Sequence, residues 1–388
     1  MMVSLVRKGR SMRSVASEMG VGLATVQRWV AHAGDARLDR VDWAGARGGR
    51  REAQATPASI EDQVIELRGE LRDRSDLGEH GAVAIHRELV ARRKKLRLER
   101  IPSVRTIGRI LERRGALDGR RRVRRVPPPK GWYLPEVRER RAELDSFDIV
   151  EGLALKGGTQ VEVLNGISLH GGLCASWTST GTTAKFTVQK LLEHWREHGL
   201  PDYAQFDNDT IFQGTHRWPD SFGRVTRLCL QLDVIPVFTP PRETGFQASI
   251  ESYNRRWQDK VWHRFRHGSL GELADRSRRY VEACRQRAAE RIDSAPDRWE
   301  LPEDFRLDLR KPLAGTVVFI RRTNETGHAR LLEHDYLVDH HWCHRLVRCH
   351  VDLTAGTIRI HRLRRREPTS QPLLKTHCYE TPTKRFQE

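Results

Sequence analysis

The chain has 388 residues, of which 38% are hydrophobic, so it is long enough to form two to four domains with packed cores. Its formal net charge of +18 indicates a polyanionic partner, usually nucleic acid, although a basic solvated surface is the alternative. No apolar run approaches the ~20 residues of a membrane span, the N-terminus lacks the apolar stretch of a signal peptide, and the six cysteines are too scattered for a disulfide framework. We therefore expect a cytoplasmic protein associated with the nucleoid, with reduced thiols and no membrane partner.

Residues 1–32 have the spacing of a helix-turn-helix DNA-binding unit. Ala16 is small enough to let two helices approach, Gly20 suits the turn, and Val26 and Trp29 would fill the space between the helices. The second helix of the pair would enter the major groove. Three residues on it are candidates to contact bases or phosphates: Thr25, Gln27 and Arg28. An ordinary helical hairpin is the alternative interpretation.

A linker at 33–57, rich in Gly, Ala and Arg, leads to a second helical unit at 58–116 that we also expect to bind DNA. Apolar residues repeat there at helical spacing, and Ser103 is placed to cap its last helix. The residues of that helix that could meet DNA are Arg105, Thr106 and Arg109.

Residues 117–135 read as a basic, proline-rich linker. Prolines 127–129 cannot continue a helix and favour extended geometry. The preceding basic run is a candidate for phosphate contacts, with a solvated charge run as the alternative. Its candidate DNA-binding residues are Arg121, Arg122, Arg124 and Arg125.

Short strands alternate with helices from 136 to 300, which is typical of an α/β fold. The segments ELDSFDIV, GTQVEVLNGISLHG, LCASWTS, DYAQFD and DVIPVFTP predict strands, and TAKFTVQKLLEHWREH predicts a helix. Further helices are expected at 248–266 and 270–291. After Pro312 the pattern returns to β-structure, so we expect a small β-barrel within a C-terminal domain at 301–388.

Three acidic residues of the α/β region stand where they could converge. Asp145 lies in the first strand, Asp207 closes the strand DYAQFD, and Glu251 opens a helix whose apolar stripe would fix its register. Phosphodiester transfer uses two hard cations, and Mg²⁺ takes oxygen ligands. The three carboxylates are therefore candidate catalytic metal ligands, and Arg255 and Arg256 on the same helix could reach phosphates.

The run ELDSFDI, then QFDND followed by Ile211 and Phe212, then a proline-rich loop and IESYNR, resembles the catalytic core shared by retroviral integrases and many bacterial insertion-sequence transposases. The tandem N-terminal units and the basic β-rich tail also look like those transposases. The resemblance implies an RNase H-like core and polynucleotidyl transfer with Mg²⁺ or Mn²⁺. Asp145, Asp207 and Glu251 match the family's acidic triad. The implied partners are double-stranded DNA, as mobile-element ends and target, and further copies of the chain, as a dimer or higher multimer on DNA.

The chain departs from the usual pattern of that family at two points. Asp209 stands where a glycine is usual. The 43 residues between Asp207 and Glu251 also exceed the usual separation. We interpret the stretch THRWPDSFGRV, at 215–225, as an insertion.

Two other acids compete for places in the triad. Asp148 follows Asp145 by three residues, so the two side chains point to opposite faces of the strand and only one can be a ligand. The resemblance favours Asp145. Glu243 has the more familiar spacing from Asp207, but it lies in a loop after two prolines, so we prefer Glu251 on its packed helix.

The segment HHWCHRLVRCH, at 340–350, contains zinc-ligand residue types. These crowd into a predicted turn and strand, so we interpret the segment as a basic face rather than a zinc site.

Taken together, the sequence predicts a multidomain DNA transposase. The alternatives are a non-enzymatic DNA-binding regulator, an inactivated transposase relic, and a nuclease with the same core.

Overall fold

The computed structural model describes residues 1–43, 56–117, 130–243, 245–381 and 386. Its helices are α1 (Met2–Arg7), α2 (Met12–Glu18), α3 (Leu23–Ala33), α4 (Ala58–Arg74), α5 (Ala82–Ala91), α6 (Val104–Arg113), α7 (Pro135–Arg138), α8 (Ala184–His198), α9 (Arg224–Gln231), α10 (Ala248–Trp257), α11 (Leu270–Arg287) and α12 (Ala289–Asp293). Its strands are β1 (Leu144–Ala154), β2 (Gln160–Ser168), β3 (Cys174–Ser179), β4 (Tyr203–Phe206), β5 (Ile235–Phe238), β6 (Thr316–Arg322), β7 (His328–Leu331), β8 (His334–Leu337), β9 (Leu346–Asp352), β10 (Thr357–Arg362) and β11 (Leu373–Cys378). A π-helical turn at Gln258–Trp262 follows α10.

The chain divides into two compact units. One comprises residues 1–67 and 85–116, and the other comprises residues 68–84 and 117–388. Within the described residues, no helix combines the length and apolar character needed to cross a membrane.

Helices α1 to α3 lie where the helix-turn-helix spacing predicted them. Gly20 has a φ of +61°, so the turn between α2 and α3 uses a left-handed conformation that glycine adopts without strain. Val26 is fully buried and packs with Ala16 between the helices. Trp29 does not fill this space as expected, because its ring packs against Trp43 instead, with centroids 5.8 Å apart.

The second predicted helical unit, at 58–116, contains helices α4 to α6. Ser103 caps α6 as expected, since its hydroxyl accepts a hydrogen bond from the Thr106 N–H at 3.2 Å. At the other end of α6, Arg114 pairs with Asp62 of α4 at 2.7 Å. One face of α6 is apolar and buried through Ile107 and Ile110, so its packing is that of an amphipathic helix.

The loop after α4 belongs to the larger unit rather than to this helical one. Arg264 donates hydrogen bonds to the carbonyls of Arg72 and Ser75, at 2.7 and 2.5 Å. Lys260 donates to the Gly78 carbonyl at 3.1 Å. The expected uninterrupted unit at 58–116 is therefore divided by residues 68–84.

A nine-stranded mixed sheet forms the centre of the larger unit, in the order β11-β10-β9-β6-β5-β4-β1-β2-β3. Strands β1, β2 and β3 are antiparallel neighbours, whereas β4 runs parallel to β1 and β5 parallel to β4. Helices α8 and α9 pack on one face, where Leu191, Trp195 and Leu228 are fully buried. Helices α10 and α11 pack on the other face of β1 to β3. This α/β arrangement is compatible with the RNase H-like core expected for 136–300.

The C-terminal strands do not form the separate small barrel that we expected. Strand β6 pairs in parallel with β5, through Val237–Val318 and Phe238–Phe319. Strands β9, β10 and β11 then continue the same sheet in antiparallel order, and β7 and β8 form a separate hairpin. The segments TVVFIRR, RLVRCHVDL and TIRIHRLRR, which the sequence pattern predicts as β-structure, contain β6, β9 and β10, whereas RLLEHDYLV, predicted as one segment, spans parts of both β7 and β8. Strand β11 and the pairing of β6 with β5 were not predicted.

The core also begins earlier in the chain than residue 136. Trp132, Tyr133 and Leu134 are almost fully buried in the cluster that contains Phe246. The Tyr133 hydroxyl donates to Gln205 of β4 at 2.5 Å. These residues are therefore part of the core rather than of a linker.

Candidate active site

Asp148 and Asp207 occupy one row across the sheet. The parallel register pairs Ser146 of β1 with Gln205 of β4. Extended by two residues, this register places Asp148 beside Asp207, and the two carboxylates interact electrostatically. Equivalent positions of neighbouring parallel strands point to the same face. On the other side of β1, Asp148 pairs with Asn165 of β2. Two carboxylates and an amide thus lie side by side, where Asp207 follows the carboxyl end of β4 and Asp148 lies in the middle of β1.

Helix α10 covers this row. Its buried residues Ile250, Tyr253 and Trp257 fix it against the sheet. The Asn254 amide donates to Asp148 Oδ2 at 2.7 Å and accepts a hydrogen bond from the Asn165 amide at 2.8 Å. Asn254 was not among the site residues predicted from the sequence, although it stands in the IESYNR motif three residues after the exposed Glu251.

Burial and neighbouring negative charges both act on the carboxylates of this row. Burial, and next the negative charge of Asp207, raise the pKa of Asp148 to about 6, and Glu251 acts in the same direction. The hydrogen bond from Asn254 opposes this rise. Burial also raises the pKa of Asp207, while the Asp209 N–H bound to it lowers the pKa. Carboxylates in such surroundings gain from a bound cation.

Asp145 does not belong to this row, which corrects the expectation from sequence. It points to the opposite face, towards α8, and is 1% exposed. Arg298 holds both of its oxygens, at 3.0 and 2.5 Å, and Trp195 Nε1 donates to Oδ2 at 3.1 Å. Burial raises the pKa of Asp145, but the charge of Arg298 outweighs this and leaves the pKa lowered. With both oxygens committed, Asp145 is a structural ion-pair partner.

One sequence signal could have favoured Asp148. Asp207 stands at the carboxyl end of its strand, and carboxyl ends of parallel strands meet at one edge of the sheet. Asp148 lies further along β1 than Asp145, which is only the second residue of that strand.

Glu243 forms an ion pair with Arg322 of β6. Its carboxylate is thereby directed to the C-terminal strands. Glu251 instead lies in the first turn of α10 and is exposed. Thr244, between β5 and α10, lies outside the described residues.

Asp209 shapes the turn after β4. Its N–H donates to Asp207 Oδ1 at 3.0 Å, and its own Oδ1 accepts from the Ile211 N–H at 2.7 Å. Aspartate side chains stabilise turns in this way. Asp209 therefore holds the Asp207 side chain through Oδ1, and Oδ2 of Asp207 takes no part in this turn.

Arg321 of β6 holds the same turn from behind. Its guanidinium is buried and donates to Asn208 Oδ1 at 2.8 Å. It also donates to the carbonyls of Thr239 at 3.2 Å, Ile320 at 2.9 Å and Arg330 at 3.1 Å. Burial lowers the pKa of Arg321 to about 10, so it stays charged near neutral pH. The C-terminal strands thus fix the loop that carries Asp207.

The stretch interpreted as an insertion forms a loop whose two ends meet at the core. The chain leaves at Gly214 and returns at Gly223, whose N–H donates to the Gln213 carbonyl at 2.8 Å. A Cβ on Gly214 would lie 2.6 Å from the Gly223 nitrogen, so the two glycines allow the close approach. This loop is followed by α9, which the sequence pattern did not predict.

The candidate DNA-contacting side chains lie in separate parts of the chain. Gln27 and Arg28 on α3 are exposed and Thr25 is half-buried. On α6, Arg105 and Arg109 are exposed, whereas the Thr106 hydroxyl lies 3.0 Å from that of Ser103 at the helix cap. Arg255 and Arg256 are exposed on α10. The remaining candidates lie outside the described residues: Arg121, Arg122, Arg124 and Arg125.

Among the side chains that the structure describes, no group of three or more His, Cys, Asp or Glu is arranged to hold a metal ion. This holds for the His-rich segment at 340–350, where the Cys343 thiol donates to the His340 carbonyl and His350 is half-buried. It also means that Glu251 is not gathered with Asp148 and Asp207 into a closed cage.

No protein-family model matches the chain, and no curated protein matches its sequence. Among solved structures, the chain is similar to the catalytic core domain of BIV integrase, with 14% sequence identity, 36% of this chain and 81% of that one covered, and a TM-score of 0.28. A likeness at this level assigns neither a family nor an activity.

Proposed function

We propose that the chain is a DNA transposase, a polynucleotidyl transferase that cleaves DNA at the ends of a mobile element and joins those ends to target DNA. The observation that carries the proposal is the row of Asp148, on β1, and Asp207, directly after β4, covered by the helix that bears Glu251 and Asn254. The net charge of +18 and the exposed basic side chains of α3, α6 and α10 support a DNA substrate.

The residues of the row fit magnesium or manganese. All three acids offer oxygen donors. The pKa values of Asp148 and Asp207 are raised first by burial and then by neighbouring negative charges, and a bound cation would stabilise both carboxylates in their charged form. Magnesium keeps several waters and is commonly held by one or two carboxylates plus substrate phosphates, so a preformed cage of three is not required. When bound, a pair of such ions supplies activation of the attacking oxygen and stabilisation of the leaving one. Asp148, Asp207 and Glu251 would hold them.

The protein's own groups then have separable roles. Asp148 and Asp207 provide the negative charge on the rigid sheet, and Asn254 orients Asp148 through its 2.7 Å hydrogen bond. Glu251 is held near them by the packed α10 while remaining accessible. Arg255 and Arg256, exposed on the same helix, are placed to bind DNA phosphates. We further propose that two copies or more act on DNA, because two element ends must be brought together.

The decisive experiment replaces each carboxylate by its amide in the full chain. Asp148→Asn, Asp207→Asn and Glu251→Gln should each lower cleavage and strand joining on the order of a thousandfold or more, since metal catalysis contributes several kcal/mol and ~1.4 kcal/mol is tenfold in rate. Binding of DNA should stay within a few-fold of the wild type. The substrate is a duplex containing the DNA that borders the reading frame, assayed with Mg²⁺ or Mn²⁺ and with chelator.

Glu243→Gln is the matched control, because it removes a neighbouring carboxylate that is paired with Arg322, and it should retain most activity. If Asp148→Asn is as active as the wild type, the assignment of the first carboxylate is wrong. Cleavage without joining would indicate a nuclease. Specific binding without metal-dependent cleavage would indicate a regulator or an inactivated relic.

A further inference from the structure

The loop at 215–222 is hydrogen-bonded to the rest of the larger unit near both ends, and its middle is exposed to solvent. Near its start, His216 Nε2 donates to the carbonyl of Asn208, the residue directly after Asp207, at 2.8 Å. Near its end, Asp220 accepts hydrogen bonds from the Tyr379 hydroxyl and from His334, both at 2.9 Å. The Asp220 N–H also donates to the Leu332 carbonyl at 3.2 Å. The loop is therefore anchored to the candidate active site on one side and to the C-terminal strands on the other.

Between these anchors the loop presents an indole to solvent. Trp218 is 61% exposed, and the Arg217 guanidinium lies 5.3 Å from the centre of its ring. A large aromatic side chain held outward by a fixed loop, with a cation against it, offers both a stacking surface and a phosphate contact. His216, two residues before Trp218, bonds to the turn after Asp207, so the segment that carries this surface is tied to the turn that carries one of the site carboxylates.

We propose that Trp218 stacks on an unpaired nucleobase next to the cleaved phosphate, while Arg217 contacts a neighbouring phosphate. Bases inside a duplex are stacked on both sides, so the indole can engage only a terminal or displaced base. The charge of the chain favours nucleic acid over a protein partner for this position. The inference rests on the proposed function and adds a specificity-determining contact to it.

The test uses the full chain and a duplex of the bordering DNA that carries 5-iodo-2′-deoxyuridine singly at positions on either side of the cleaved bond. This base photocrosslinks to aromatic side chains in contact with it. In the wild type, the crosslinked peptide should contain residue 218. Trp218→Ala should lose this crosslink and slow single-turnover cleavage about tenfold, the effect of losing ~1.4 kcal/mol of base stacking. Trp218→Phe should retain most of both signals.

Trp299→Ala is the control for loss of an exposed tryptophan. Trp299 is 67% exposed and bonds to Asp202, at the opposite end of β4 from Asp207. It should leave crosslinking and cleavage unchanged. The inference is overturned if crosslinks from a cleaving wild type map away from residue 218. It is also overturned if Trp218→Ala and Trp299→Ala slow cleavage equally, or if Trp218→Ala changes only the oligomeric state. A wild type that crosslinks at residue 218 but does not cleave leaves the base contact standing and removes the proposed function.

Discussion

Two aspartates three residues apart on β1 have opposite surroundings. Asp145 is buried against Arg298, which stabilises its charged form. Asp148 is half-buried beside other carboxylates, and its burial first and then their charges destabilise its charged form. Charged Asp145 therefore stabilises the folded state, whereas charged Asp148 destabilises it. Costs of this kind are usual where a fold maintains charge for a function.

The pH dependence of stability should separate these roles. The pKa of Asp148 is raised from its ordinary value of 3.8 to about 6, so its ionisation opposes folding. This penalty is absent below pH 3.8, grows as the pH rises to about 6, and is complete above that. At ~1.4 kcal/mol per pKa unit it amounts to no more than about 3 kcal/mol. In metal-free buffer, Asp148→Asn should therefore raise the thermal unfolding midpoint at pH 7.5, and the gain should shrink towards pH 4.

In the same experiment, Asp145→Asn should shift the unfolding midpoint in the opposite direction. It breaks a buried ion pair and leaves the Arg298 guanidinium without its carboxylate, a change that typically costs 3–5 kcal/mol. Its unfolding midpoint should fall at pH 7.5. If the two variants shift the midpoint in the same direction, the environments assigned to the two aspartates are wrong.

At the scale of elements, strand β6 supports the turn that carries Asp207 although it lies far away in the sequence. Its Arg321 donates to Asn208 in that turn and to carbonyls of β5, β6 and β7 or their ends. Lysine offers a compact charge without the planar fork that spans these acceptors.

Arg321→Lys should therefore keep the chain folded yet loosen the Asp207 turn. We expect a higher Mg²⁺ concentration for half-maximal cleavage and a lower maximal rate, about tenfold or more, because a ligand misplaced by ~1 Å can cost a hundredfold. The affinity for DNA should change little. The measurement is a Mg²⁺ titration of single-turnover cleavage with circular dichroism as the folding control. An unchanged metal requirement would contradict a positioning role for Arg321.

The predictability of the elements follows from what determines each one. Alternating and helical apolar patterns are local, so β1 to β5, α8, α10 and α11 could be predicted from sequence. Strand register is not local: the offset that pairs Ser146 with Gln205 decides that Asp148 rather than Asp145 meets Asp207. The sequence offers only the weaker signal that Asp148 lies further along its strand than Asp145. Helix α9 was hidden by the assumption that its first residues belonged to an insertion. The pairing of β6 with β5 joins distant segments and could not be read from either.

At the scale of the whole molecule, DNA binding and chemistry should respond to different changes. Many Lys and Arg contacts to phosphates make affinity fall with salt, with a log–log slope of roughly −0.9 for each phosphate neutralised on duplex DNA. Arg28→Ala and Arg109→Ala should weaken binding while cleavage at saturating protein stays near that of the wild type. Fluorescence anisotropy at several salt concentrations measures the first effect. Affinity that does not change with salt would contradict a phosphate-based interface.

The continuous sheet also determines where the chain can be cut. Val237 and Phe238 of β5 are fully buried, and β6 pairs with them in parallel. A fragment that ends at residue 300, the boundary that the sequence alone suggested, would convert β5 into a bare edge strand with apolar side chains and unpaired backbone groups. Such an edge is a template for intermolecular strand addition. The minimal unit for recombinant work is therefore one that retains the C-terminal strands, and shorter pieces would aggregate before any chemistry could be measured.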